Sequence, residues 1–188
     1  MKKNGYFMAG IDIINAQLPI GFKFENLCSD MRLLLDIAKG KTDLEDRKEN
    51  KHGYFTVMNG LSGEILFTVP FGEIPVDKAE KFFEFSQEKA LRLWSQRSMN
   101  LPVQHTTSHE SRNEMENKFG GAVYSAGTGS FPKLIFSFSG MPELIDEAMM
   151  MAFVKKSSND HHASNNNAYE RNPYWKNIYN EAVKYCNF

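Results

Sequence analysis

Two cysteines in 188 residues, Cys28 and Cys186, are too few to mark a disulfide framework. A chain of this length can bury a sizeable core without such staples. An excess of one charge is missing too: 22 Lys and Arg stand against 23 Asp and Glu, for a formal net charge of -1. Without a cationic surplus nothing in the composition drives binding to phosphate backbones or anionic lipid, so neither a nucleic-acid nor a membrane partner is expected. No stretch approaches the roughly 18 consecutive apolar residues of a membrane-spanning helix. Met1-Lys2-Lys3 opens as signal peptides do. Asp12, Asn15 and Gln17 then make the next stretch too polar for a secretory apolar region, and the expected compartment is the cytoplasm. Internal repeats are absent. What is present is apolar material, 41% of the chain with 15 Phe, which suits one globular domain and excludes a disordered or collagen-like chain.

Periodicity divides the chain. Phe24, Leu27, Cys28, Met31, Leu34, Leu35 and Ala38 fall on one helical face, with Gly40 as a stop signal and Cys28 expected as a buried free thiol. Residues 41–52 alternate positive and negative charge and read as solvated. Two strand-like runs, 54–58 and 64–69, flank Asn59-Gly60-Leu61-Ser62-Gly63 and predict an antiparallel hairpin ended by Pro70, Gly72 and Pro75. Asp77 opens a second helix with Glu80 three residues on. Its expected buried stripe is Ala79, Phe83, Ser86, Ala90, Leu93, Trp94 and Arg97. A second hairpin pairs 121–126 with 133–139 across Gly127-Thr128-Gly129-Ser130-Phe131-Pro132. A third helix begins at Pro142, where Glu143, Asp146 and Glu147 suit the positive end of the helix dipole. Its remainder, 148–154, is apolar nearly all round and requires a cover, from the tail or from another subunit. Residues 157–168 read as a polar linker. Trp175, Ile178, Tyr179, Ala182 and Cys186 then form a helical stripe that must dock somewhere. Hairpin-joined strands alternating with helices give an α+β fold, an antiparallel sheet with helices packed on it. The expected organisation is one domain over 1–156, the linker 157–168 and a docking helix within 169–188.

Chemical motifs are sparse. His105 and His109 are four apart, the spacing of two ligands on one helical face, but Thr106-Thr107-Ser108 is poor helix material and Glu110 lies outside any H-E-x-x-H order. They are weak candidates for a metal site, and otherwise none is expected. His161 and His162 lie in the polar linker, and His52 carries no motif. Gly127-Thr128-Gly129 lacks the lysine and the helix of a phosphate loop and reads as a turn. No G-x-S-x-G elbow singles out a nucleophile. Met149, Met150 and Met151 read as core packing.

The order of several short stretches nevertheless resembles a family. Val57-Met58-Asn59-Gly60-Leu61-Ser62-Gly63-Glu64-Ile65-Leu66, Lys89-Ala90 on the second helix, Gly120-Gly121 before a hairpin, and Phe138-Ser139-Gly140-Met141-Pro142-Glu143 with Asp146-Glu147 are similar to GlcG/HbpS-like proteins, the haem-degrading family. The resemblance spans residues 24–155. Thr68-Val69-Pro70-Phe71-Gly72 departs from the family's Arg-x-Asp-Gly, and Leu134-Ile135-Phe136-Ser137-Phe138 replaces a strand of small residues. The resemblance implies a profilin-like α/β/α sandwich that self-associates and binds a small ligand, haem or a related tetrapyrrole among the options. The expected ligand region is Lys89 with Gly120 and Gly121, where glycine admits a ligand to the backbone. Two alternatives stand beside this non-catalytic binding role. One is an enzyme acting on a tetrapyrrole or other small organic substrate, for which His105 and His109 are the nominees. The other is an interaction protein that uses its aromatic C-terminal helix.

Overall fold

The computed structural model describes residue 18 and residues 22–41, 52–98, 105–127, 133–158 and 167–185. Most of the charged run, the hairpin turn beyond Gly127, the His161–His162 pair and Cys186 lie outside these residues. Helix α1 spans Phe24–Lys41, strands β1 and β2 span Gly53–Asn59 and Ile65–Phe71, and helix α2 spans Val76–Ser98. Two 3-10 turns, Ser108–Ser111 and Glu114–Glu116, lead to β3 (Ala122–Ser125) and β4 (Leu134–Ser139). Helices α3 (Glu143–Ser158), α4 (Asn167–Arg171) and α5 (Trp175–Ala182) complete the chain.

The four strands form one antiparallel sheet in the order β2-β1-β4-β3. The fold is α+β, with helices on both faces of the sheet. Period-two alternation sends Phe55, Val57, Val123, Leu134, Phe136 and Phe138 into the larger core beneath α3, α1 and α5. Phe55 and Phe153 stand with ring centroids 5.3 Å apart, and Phe136 and Phe153 4.9 Å apart, so aromatic packing joins sheet to α3. The opposite face carries Met58, Ala122 and Ile135 against Ala90 and Leu93 of α2. Here the contact is partly polar: Thr56 Oγ1 lies 2.8 Å from Ser86 Oγ and 3.0 Å from Thr68 Oγ1. As a central strand β4 is buried on both sides, including Ser137 and Ser139.

Several expectations are corrected. Helix α1 runs past Gly40 to Lys41. Cys28 is half-buried rather than fully buried, and desolvation pushes its thiol up to about 11. Pro70 does not end the hairpin; it pairs with Tyr54 inside β2, where an edge strand tolerates a missing N–H. Asp77 stands in the first turn of α2, which starts one residue earlier. The buried face of that helix is Ser86, Lys89, Ala90, Arg92 and Leu93, more polar than the expected aromatic stripe, and Phe83 is exposed.

The cover for α3 comes from its own chain. Ala148 to Val154 are at most 1% exposed. Helix α5 packs on both α3 and α1 through Trp175, Ile178 and Ala182. The Tyr169 and Trp175 rings meet edge-on at 4.9 Å, and Trp175 Nε1 donates to the Tyr169 carbonyl. Asn172 Nδ2 donates to the Leu144 carbonyl and to Glu147, whose buried carboxylate also takes Arg171. The segment expected as the linker 157–168 supplies the last residues of α3 and the first of α4 at its two ends.

Candidate functional site

Spacing on α2 decides which side chains reach the sheet. Ser86, Lys89, Ala90 and Leu93 follow i, i+3, i+4, i+7 and turn toward it. Lys89 lies where β4 ends and α3 begins, so its side chain extends across the corner between them. It is 3% exposed: its Nζ donates to the Phe138 carbonyl and to Asp146 Oδ2, each at 3.0 Å. Asp146 sits one turn into α3 and is 1% exposed. Its other oxygen accepts from the Met141 N–H at 3.0 Å. Complete burial pushes this carboxyl up to about 6, against the opposing charge and hydrogen bond of Lys89.

Gly121 explains why the ammonium fits. Its φ is +121°, and a Cβ there would stand 2.8 Å from the Phe138 oxygen, 2.9 Å from Asp146 Cβ and 2.9 Å from Lys89 Nζ. A side chain at 121 would occupy the space the ion pair uses. The neighbouring Gly120 donates its N–H to Glu143 Oε1 at 2.7 Å. Lys89, Gly120 and Gly121, read from the sequence as one region, therefore do meet at one corner. The contact they make is an internal ion pair, so Lys89 is not a solvated surface lysine.

Glu143 organises the outer wall. Its Oε1 accepts from His109 Nδ1 at 2.9 Å as well as from Gly120, and its Oε2 accepts from Arg112 Nε at 2.8 Å. Burial works to raise this carboxyl, but those donors and the cations beside it prevail and hold it down at about 2. An ionised Glu143 requires the proton of the His109–Glu143 bond to sit on Nδ1. The segment bearing His109 is fixed from α2 by Arg92, which donates to the carbonyls of Ser108, Ser111 and Phe119 and pairs with Glu88. Glu110 adds an internal clamp by accepting from the N–H groups of Thr106 and Thr107.

Above this corner lies a cavity of about 420 Å³. Its walls are Lys81, Phe82, Phe85 and Lys89 from α2, Arg112 and Phe119 from the 3-10 segment, and Ser139 to Glu143 with Asp146 from the β4–α3 turn. That volume falls within the usual range for small organic ligands, roughly 300–1,000 Å³. A second, larger groove of about 630 Å³ runs along the outward side of α2 past Leu91, Trp94 and Lys118. Lys89 lines only the smaller of the two, and neither lining includes Gly120 or Gly121.

The histidines go elsewhere. His109 is spent on Glu143 and lies in a 3-10 turn, so it shares no α-helical face with His105. His105 offers its carbonyl to Arg97, and its buried Nδ1 has no partner among the described residues. His52 is buried against Phe82, its Nε2 has no partner among the described residues, and desolvation together with the charge of Lys78 lowers its pKa. No His, Cys or Tyr lines the 420 Å³ cavity. Haem, one of the ligands the family resemblance implies, thus finds no imidazole, thiolate or phenolate at this site; Met141 offers a thioether without the histidine that such ligation pairs it with, and the two carboxylates there are committed to internal partners. The residues present do not fit haem ligation.

Sequence reasoning missed Asp146 as the partner of Lys89, Arg92 as the fastener, and Glu143 as the hub of the wall. The acidic first turn of α3 was visible, but nothing local marks which acid turns inward.

No family model matches the chain, and no curated protein matches it. Among solved structures it is similar to one described as the crystal structure of Ybr137w protein, at 14% identity and a TM-score of 0.39, covering 84% of this chain and 98% of that one. A likeness at that distance carries no argument about function.

Proposed function

We propose that this chain is a non-catalytic small-ligand-binding protein, of the GlcG/HbpS type that its sequence resembles, with the ligand held in the cavity over Lys89. The observation that carries this reading is the cavity's floor. A buried ion pair is expensive to desolvate and is weak evidence for a purely stabilising role. Here it lies under a space of ligand size, and the missing side chain of Gly121, at positive φ, leaves room for the ammonium at that floor. Titratable groups perturbed by burial and gathered in a cleft are a mark of binding sites.

The ligand proposed is a small organic molecule rather than haem. The enzyme reading depended on His105 and His109, and neither lines the cavity. Self-association now rests on the family resemblance alone, because α3 is covered by α5 of the same chain and needs no second subunit. The test is a ligand-detected NMR screen of small organic fragments against the full chain, with backbone amide shifts of Gly121 and Gly140 as the locator. Saturable binding that moves those amides supports the site. Hits that move only amides along the outward face of α2 would overturn it.

A further inference from the structure

The hydrogen-bond inventory of the cavity bears on the charge of a ligand there. An ammonium has three N–H donors, and Lys89 spends two, on Phe138 and Asp146. The third has no partner among the described residues, on a side chain that is 3% exposed and lines the cavity. A buried unspent donor on a cation carries a cost that an arriving acceptor removes. The acids nearby compete poorly for a cationic guest. Glu143 has both oxygens engaged by His109, Gly120 and Arg112, and Asp146 has both engaged by Met141 and Lys89. Lys81 adds positive charge to the same lining, whereas Arg112 is paired with Glu143 and Glu114.

The apolar part of the lining is largely aromatic. Phe82 and Phe85 on α2 line the space together with Phe119, and the Phe85 and Phe119 rings touch, with centroids 5.9 Å apart. Aromatic faces favour a flat apolar body, by burial and by ring–ring geometry. We infer that the ligand is a small planar carboxylate whose acidic group takes the free N–H of Lys89 while its ring lies among Phe82, Phe85 and Phe119. This rests on the reading of the cavity as the binding site and adds the chemical class of its occupant.

The experiment titrates the native full chain with benzoate, benzamide and benzamidine, three flat probes that differ in charge, by calorimetry and by amide shift mapping. Benzoate should bind saturably, at least tenfold tighter than benzamide, with benzamidine weaker still, and should shift the Gly121 and Gly140 amides. Replacing the ion pair by the neutral combination Lys89→Met with Asp146→Leu should cost benzoate that tenfold and abolish its advantage over benzamide. Equal binding of benzoate and benzamide, or tighter benzamidine, overturns the carboxylate inference while the cavity reading stands. Failure of all three probes to bind, alongside a fragment screen that also leaves Gly121 and Gly140 unmoved, removes both. Should the double variant not fold, the charge ranking and the shift map on native protein decide alone.

Discussion

Lys89 shows how far a single residue can depart from its type. Lysine is almost never fully buried unless paired, and here the pair is Asp146, 57 positions further along the chain. Lys89→Ala leaves a buried carboxylate without its cation, and the expected loss is about 3–5 kcal/mol by urea denaturation. The combination Lys89→Met with Asp146→Leu should recover most of it, because removing both charges also removes their desolvation cost. A loss below about 1 kcal/mol for the single variant would mean that the pair is solvated. Gly121→Ala belongs to the same corner. Its backbone conformation is one that L-residues rarely adopt, and the new Cβ meets a main-chain oxygen at 2.8 Å, so something must shift. About 2–3 kcal/mol of lost stability is expected, read from the same denaturation curves. Gly120→Ala should cost less, since the atoms its Cβ would meet at 3.0 Å are side-chain atoms of Glu143 and His109.

At the scale of elements, one guanidinium fastens the whole 3-10 segment to α2. Arg92→Ala should leave the fold in place and expose the amides of residues 106–120 to faster hydrogen exchange than those of the sheet. Arg92→Lys should rescue little, because a point-like ammonium cannot serve three carbonyls in one plane as the guanidinium does. The docked tail gives a second prediction. Trp175→Ala opens the junction of α5 with α3 and is expected to cost about 3–5 kcal/mol, or roughly 6–20 °C in melting temperature for a chain of this size. Most of these elements were legible in the sequence: α1, both hairpins and α3 followed from period and punctuation. The buried face of α2 was not, and the reason is physical. Type-based burial places Lys and Arg outside, and the partners that draw Lys89 and Arg92 inward come from α3, from the end of β4 and from the 3-10 segment. Lys89, Gly120 and Gly121 were nominated as a ligand region through a family resemblance. Their mutual geometry needed the fold.

For the molecule as a whole, two carboxylates pull its acid stability in opposite directions. Glu143 is held at about 2 when folded, against an ordinary 4.5. Its contribution is therefore present above pH 4.5 and is lost as pH falls toward 2, about 1–2 kcal/mol after solvent screening. Asp146 is pushed from 3.8 up to about 6, so between those values the folded chain keeps a proton that the unfolded chain releases. Its contribution is largest below pH 3.8 and declines as pH rises through about 6. Urea midpoints measured across pH should therefore fall on the acid side through Glu143, and decline from moderate acid to neutrality through Asp146. Asp146→Asn is expected to flatten the second limb and leave the first. An unchanged second limb in that variant would mean that another group sets it.

The two rims of the sheet have a consequence for how the protein fails. On one side β2 carries an exposed proline, Pro70, that withholds a donor from the row. On the other, β3 is only four residues long and is already met by the preceding segment, with Thr107 bridging Val123 and the Tyr124 N–H donating to Thr106. An extended peptide drifting past the native protein therefore meets a broken template on one flank and an occupied one on the other. Fibrous growth by strand addition to the intact sheet is disfavoured at both, so that route to clumping on heating begins with chains that have already lost their sheet.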